Sequence, residues 1–345
     1  MRFWTARCLQ RNQRGSMQVL PLALFLVILE LTAGSFLTLF LLDVRGDTSR
    51  GFVLFQGALY FVFAIITVLA MNKVTPAQPG QYGLDANWIR AQGPFIVSFT
   101  LLMIPWNVLL WRDRQQRKPG KRGTAEPAPP MPRLRLARFI LGGMVSLLGM
   151  LALFVEGMGF RPLADSHLGG AFVVLAFLAG GIALGGVMTA MLLGHWYLNT
   201  PTASGKPLEF VTVLLLAALA LELAFTLGFG PATAHATIPT VSVAPGTTIQ
   251  TTGGHLVIAT ATPGPENALP AQPEQRVEPL GTGAMRWLEF ILGFGAPLAL
   301  GAVALYLTRG RSFQSATGML YLCVAFVFIG EILGRGLLLF PVLFS

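Results

Sequence analysis

The chain has 345 residues, of which 54% are hydrophobic and 11% charged, whereas soluble domains run near ~25% charged. That supply of polar side chains cannot cover a water-soluble protein of this length. Two cysteines, Cys8 and Cys323, exclude a disulfide framework, and without a Cys-x-x-Cys pattern the chain does not ligate an iron–sulfur cluster by itself.

The net charge of +9 is unevenly placed: nine of the 24 basic residues lie between Arg112 and Arg138, directly after an apolar run. This fits a cytoplasmic loop under the positive-inside rule better than a nucleic-acid surface. In chain order, residues 1–17 form a basic extension, MRFWTARCLQRNQRGS and Met17, and either Met1 or Met17 serves as the start. The apolar run that follows carries Glu30 and has no small-residue cleavage exit, so it reads as a retained helix rather than a signal peptide.

A helix crossing the hydrocarbon layer needs ~17–25 apolar residues. Eight runs qualify: Val19–Leu42, Phe52–Met71, Pro94–Trp111, Phe139–Val155, Leu168–Leu193, Phe210–Phe229, Trp287–Tyr306 and Gly318–Phe340. Helices are expected because the runs lack barrel-type alternation and lipid offers the backbone no partners. The expected fold is an all-α integral membrane protein of about eight transmembrane helices. Helices one to three fall in 18–111, a basic cytoplasmic loop in 112–138, helices four to six in 139–229 and the last two in 285–345. Trp111, Trp196, Tyr197 and Trp287 stand at run ends, where interfacial aromatics belong.

With the N-terminus outside, the inner loops hold fourteen basic residues and the outer side nine. Both termini are therefore expected to be extracytoplasmic in a cell membrane, together with the Thr/Pro-rich segment 230–284. Within that segment, TVSVAPGTTIQTTGGHLVIATAT reads either as a small hairpin around its turn dipeptides or as a Pro-rich linker folded over the helices. The inner stretch GKRGTAEPAPPMPR is Pro-rich, is expected to be disordered, and divides the chain into helices one to three and four to eight.

The chain also compares with itself. Gly34, Thr38, Leu41 and Leu42 match Gly185, Thr189, Leu192 and Leu193 at one offset, and FVEGMGFR (Phe154–Arg161) parallels FIGEILGR (Phe328–Arg335). Either these are chance likenesses of apolar strings, or the chain is two parallel four-helix halves, as in some transporters.

Ionisable groups inside spans are functional candidates by default. Glu30 lies midway along the first run, Glu222 in the outer half of the sixth, and Glu156, Glu289, Glu331 and Arg335 near outer helix ends. Glu331 and Arg335, at i and i+4, share a face and can pair, with Glu222 or Glu156 expected to face them. The competing reading leaves such groups solvated at the headgroup level. His195 is the one histidine in or beside a span. It can donate to a quinone carbonyl or pass protons, or simply pack with Trp196 and Tyr197, but it has no second membrane histidine with which to hold a b-type haem.

FIGEILGRGLLLF resembles the last helix of membrane-anchor subunits of the dimethyl-sulfoxide reductase type. LELTAGSFLTLFLL resembles the small-residue first helix of those anchors and of polysulfide-reductase (NrfD-like) anchors. The motifs cover about 30 residues; helix number and termini match over the whole chain. The resemblance implies a quinol (menaquinol or ubiquinol) bound near the outer face, with no haem or iron–sulfur cluster in this chain. It also implies electrons passed to an iron–sulfur subunit and a molybdopterin catalytic subunit. Glu331 and Arg335 would then border the quinol site, with Glu222, Glu156 or His195 as further candidates for binding it or accepting its protons. Two other classes stay open: a secondary transporter, and an accessory or assembly protein without chemistry.

Overall fold

The computed structural model describes residues 2–74, 83–116, 132–164, 166–200, 204–228, 248–252, 255–259 and 282–344, and places side chains within 20–74, 83–113, 133–164, 166–200, 204–228 and 284–339. Among them are eight helices long and apolar enough to cross a membrane. They are α1 (Arg2–Arg45), α2 (Arg50–Val74), α3 (Ala86–Gln116), α4 (Pro132–Phe160), α5 (His167–Asn199), α6 (Lys206–Gly228), α7 (282–309) and α8 (Phe313–Phe344). Every apolar run falls on one of them. The helices extend beyond most runs by a turn or two, because charged and polar residues at their ends continue the backbone ladder after the apolar stretch stops.

Two helices begin on side-chain caps. Asp85 accepts from the backbone of Asn87 ahead of α3, and Ser166 accepts from Gly169 N ahead of α5; each satisfies an amide that the first turn leaves free. Helix α7 is irregular: Glu289–Gly295 winds as a π-helix between Thr282–Leu288 and Ala296–Arg309. Pro297 explains the wide turn. It has no N–H to donate and would crowd the carbonyl four residues back, and Ala296 N instead reaches Ile291 O, five residues behind. In 230–284, strands β1 (Thr248–Thr252) and β2 (His255–Ala259) pair antiparallel, Thr248 opposite Ala259. This is the hairpin alternative; apart from 282–284, which begin α7, the rest of that segment, and most of the Pro-rich stretch at 120–133, lie outside the described residues.

The helix contacts repeat. Helix α1 packs on α2 and α4, α2 on α3, and α3 on α4; likewise α5 packs on α6 and α8, α6 on α7, and α7 on α8. Between halves, α4 meets α5 as α8 meets α1, and α1 crosses α5 in one of the most extensive contacts of the bundle. Such a pattern is that of two four-helix halves around a pseudo-two-fold passing between α1 and α5. At that crossing the glycines that match in sequence meet. A Cβ on Gly34 would lie 1.6 Å from Gly181 O, and one on Gly185 only 2.0 Å from the Gly34 carbonyl carbon. Backbones approach this closely only where side chains are absent.

Helices α1 and α5 are the most buried and the others turn apolar faces outward: Leu69, Leu101, Leu147, Leu221 and Val303 are all exposed. Apolar exposure spread over so much of a surface suits hydrocarbon rather than water. The ends of α1, α3, α5 and α7 and the starts of α2, α4, α6 and α8 lie together at one end, the basic end, and the other helix ends at the opposite one.

Because the Gly34 approach is backbone on backbone, Gly34→Ala should cost on the order of 3 kcal/mol, the upper part of the usual range for overpacking. On α8, a Cβ added to Gly318 would meet nothing within 4 Å, and Gly318→Ala should raise stability by up to ~1 kcal/mol through helix propensity. Unfolding midpoints of the two purified variants in detergent, against wild type, check the contrast.

Candidate functional site

Arg335 of α8 lies at the centre of a buried cluster built from three helices. Its Nη2 is 2.6 Å from Glu30 Oε1 of α1, 3.1 Å from Glu331 Oε2 one turn earlier on α8, and 3.6 Å from Glu222 Oε1 of α6. All four residues are buried. The guanidinium also lies 4.2 Å from the ring centroid of Phe177 on α5, and that ring stacks on Phe160 of α4 at 5.5 Å. The planar cation thus meets carboxylates at its edge and an aromatic face on its flat side, an arrangement that a lysine ammonium cannot reproduce. Burying a lone charge here would cost ~2.5 kcal/mol or more; opposite charges in direct contact offset that cost for each other.

Gly180 of α5 makes room for the cluster. A Cβ there would fall 2.7 Å from Arg335 Nη2, 2.8 Å from Glu222 Oε1 and 2.9 Å from Glu331 Oε1. One absent methyl group is therefore what lets two acids and the arginine converge on a single point.

Beside the cluster is a cavity of about 250 Å³. Its polar side is formed by Glu222, Glu331, Arg335, Arg286 and Glu289, and its walls by Val173, Phe177, Leu227, Phe290, Phe294 and Leu338. The π-helical turn of α7 supplies Glu289, Phe290, Gly293 and Phe294 to this lining. Glu222 is 3% exposed, and its Oε2 has no hydrogen-bond partner among the described residues. A buried acceptor left open on a cavity wall calls for a donor from whatever fills the cavity.

Of the residues singled out in the sequence, Glu222, Glu331 and Arg335 are brought together here, and Glu222 rather than Glu156 faces the arginine. Glu156 of α4 is buried, not solvated at an interface, and its Oε2 accepts no hydrogen bond among the described residues; it does not line the cavity. Glu289, read as a headgroup-level acid, lines the cavity instead. His195 is not part of this site. It sits fifteen residues beyond Gly180 on α5, about 22 Å along the helix axis, where its Nδ1 is 3.1 Å from Tyr321 Oη at the basic end. Glu30 proves to be the arginine's nearest partner; its mid-span position marked it, but only the packing of α1 against α8 gives it a role.

A second buried cluster escaped the sequence reading. At the basic end, Asp43 closes α1, Arg50 opens α2, Asp113 lies near the end of α3 and Arg138 near the start of α4. Arg138 is 2.9 Å from Asp43 and 2.5 Å from Asp113, Arg50 is 3.5 Å from Asp113, and Arg50 also bonds Asp43. Two cations and two anions, one from each helix, close the first half. In the second half the ion pair at this end is Arg309–Glu209, 2.7 Å apart and solvent-exposed.

Searches with the sequence and the fold against protein-family models, curated proteins and solved structures find no match for this chain.

Removing one member of a buried ion cluster strands its partners, at ~3–5 kcal/mol, whereas an exposed pair contributes ~1 kcal/mol or less. Arg138→Ala should therefore lower the thermal unfolding midpoint far more than Arg309→Ala does, measured on purified protein in one detergent.

Proposed function

We propose that the chain is the quinol-binding membrane subunit of a respiratory oxidoreductase complex, lying in the cytoplasmic membrane and passing electrons to an iron–sulfur partner subunit, itself joined to a molybdopterin catalytic subunit. The observation that carries this reading is the cavity: one side offers carboxylates and two arginines, one buried acceptor there lacks a partner, and the walls are apolar and aromatic. Its volume lies just under the ~300–1,000 Å³ usual for ligand pockets, which suits a ring-sized head group rather than a whole isoprenoid chain. When bound, a quinol supplies two electrons and two protons. Glu222 and Glu331 are placed to accept hydrogen bonds and protons from its hydroxyls, Arg335 to hold the resulting charge, and Phe177, Phe290 and Phe294 to flank the ring. Glu289, also on the lining, gives a further carboxylate position for a proton on its way out.

A second reading, secondary transport, gains from the repeated helix contacts. Transporter halves commonly carry interrupted helices in matching positions. Here α7 has its π-turn, while α3, its counterpart, runs without interruption from Ala86 to Gln116 despite Pro94 and Pro105. The unequal halves favour a fixed site in one half over alternating access between two.

Quinol binding is tested directly with a fluorescent hydroxyquinoline N-oxide, a quinol analogue, titrated into the purified chain. Saturable quenching is expected. Glu222→Gln and Arg335→Lys each remove a charge-assisted hydrogen bond worth ~1.5–3 kcal/mol, so each should weaken binding by about tenfold or more. Absence of saturable binding to the wild-type chain sinks the reading.

The orientation belongs to the same proposal: the basic end faces the cytoplasm, and both termini and the 230–284 segment face out. In a Cys8→Ser background, a cysteine replacing exposed His167 should react with an impermeant thiol reagent in intact cells, and one replacing exposed Ser312 only after permeabilisation. The reverse pattern would invert the topology.

A further inference from the structure

Three acids surround one arginine in the cluster, and they are not equivalent. Glu30 is fully buried, touches Arg335 most closely and does not line the cavity. Glu222 and Glu331 line it, and their carboxyl groups lie side by side: a Cβ on Gly180 would fall 2.8 Å from Glu222 Oε1 and 2.9 Å from Glu331 Oε1, and both acids approach the same Arg335 Nη2. Two bare carboxylates side by side offer each other only acceptors, whereas a proton on one of them makes the pair a donor and an acceptor. Charge counting places that proton. Arg335 is balanced by Glu30, and a further pair of bare carboxylates side by side in an apolar interior would carry uncompensated like charge. The charged groups around the pair are Glu30 of α1, Arg286 and Glu289 of α7 and Arg335 of α8, two of each sign, so they supply no net cation to balance two bare carboxylates.

We propose that Glu222 and Glu331 share a single proton and that this pair is the cavity's proton-exchanging group, with Glu30 as the fixed counter-ion of Arg335. The free Oε2 of Glu222 is the port of exchange. As the occupant's O–H bond breaks, an O–H bond forms at Oε2. The pair passes from one proton to two and from a charge of minus one to zero, and the negative charge left on the occupant's oxygen faces Arg286 and Arg335 on the same lining. Gly180 is a positioning residue for this pair, since any side chain there would enter the space where Glu222 Oε1, Glu331 Oε1 and Arg335 Nη2 converge. That the pair holds a proton rests on the charge count around Arg335; that it trades protons with a quinol-type occupant rests on the function proposed above.

The shared proton is read from the protonated-carboxyl C=O stretch in infrared difference spectra of the purified chain prepared in H2O and in D2O. Four proteins are compared: wild type, Glu222→Gln, Glu331→Gln and the double variant, all near-isosteric, with monodisperse elution as the check on folding. A shared proton predicts that either single substitution removes the same band and that the double removes no more. Two bands lost independently, or no band lost in any variant, would overturn the proposal. Gly180→Ala keeps every charge and supplies a second route: the band should shift or disappear, and an unchanged band counts against the assignment. Calorimetry of analogue binding in buffers of differing ionisation enthalpy then reports the exchange itself, with about one proton transferred in wild type and none in Glu222→Gln. Binding without proton transfer in wild type would refute the exchange role. No analogue binding, with the single band lost non-additively, would retire the quinol reading and leave the shared proton standing.

Discussion

A guanidinium buried among apolar helices organises much of this bundle. Arg335 is only 6% exposed, so it draws acids from α1, α6 and α8 and a ring from α5 into one place. Each partner constrains its helix: α1 must cross α5 closely enough for Glu30 to reach α8, and α5 must be bare at Gly180. The cavity follows from the same arrangement, because a polar cluster cannot be covered by Leu and Phe side chains without leaving acceptors open. Glu222 Oε2 is such an acceptor.

The two halves repeat in outline and differ in how they handle charge. The first half closes its basic end with two aspartates and two arginines, and its interior is filled with aromatic and aliphatic side chains such as Phe36, Phe99 and Trp106. Among its described residues the second half has at that end the exposed Arg309–Glu209 pair, and it holds a further set of charges deep, near the opposite end, beside the cavity. Phe177 shows the divergence at a single residue: Phe160 from the first half stacks on it, and Arg335 from the second half also lies against it. Glu156 and Glu331 hold corresponding places in α4 and α8, but only Glu331 has an arginine one turn on along its helix.

The helical architecture was legible because apolar runs of membrane length admit few alternatives, and because glycines such as Gly34 and Gly185 matched at one offset. The pairing of Glu331 with Arg335 was legible from i, i+4 spacing alone. Glu222 joined them because a mid-span acid needs a partner, yet spacing could not tell it from Glu156; only the crossing of α6 with α5 puts one acid in the cluster and the other outside. The quartet of Asp43, Arg50, Asp113 and Arg138 was hidden for a different reason. Each residue stands at a helix end, where charge is ordinary, and nothing local distinguishes a buried ion cluster from four solvated side chains. The π-turn of α7 was likewise unread, since a proline midway along an apolar run, as Pro297 is in Trp287–Tyr306, signals a disturbed helix without telling a kink from a widened turn.

The crossing of α1 and α5 has a mechanical consequence. With Gly34 seated on Gly181 and Gly185 and no side chains between them, neither helix can slide along the other without driving a Cα or carbonyl into a neighbour. Rotation about the contact is opposed instead by the packing of α4 on α5 and of α1 on α8 to either side of it. The two halves are therefore pinned at one crossing: the ion quartet ties together the four helices of the first half, and the Glu30–Arg335 pair fastens α1 to α8 across the seam between the halves.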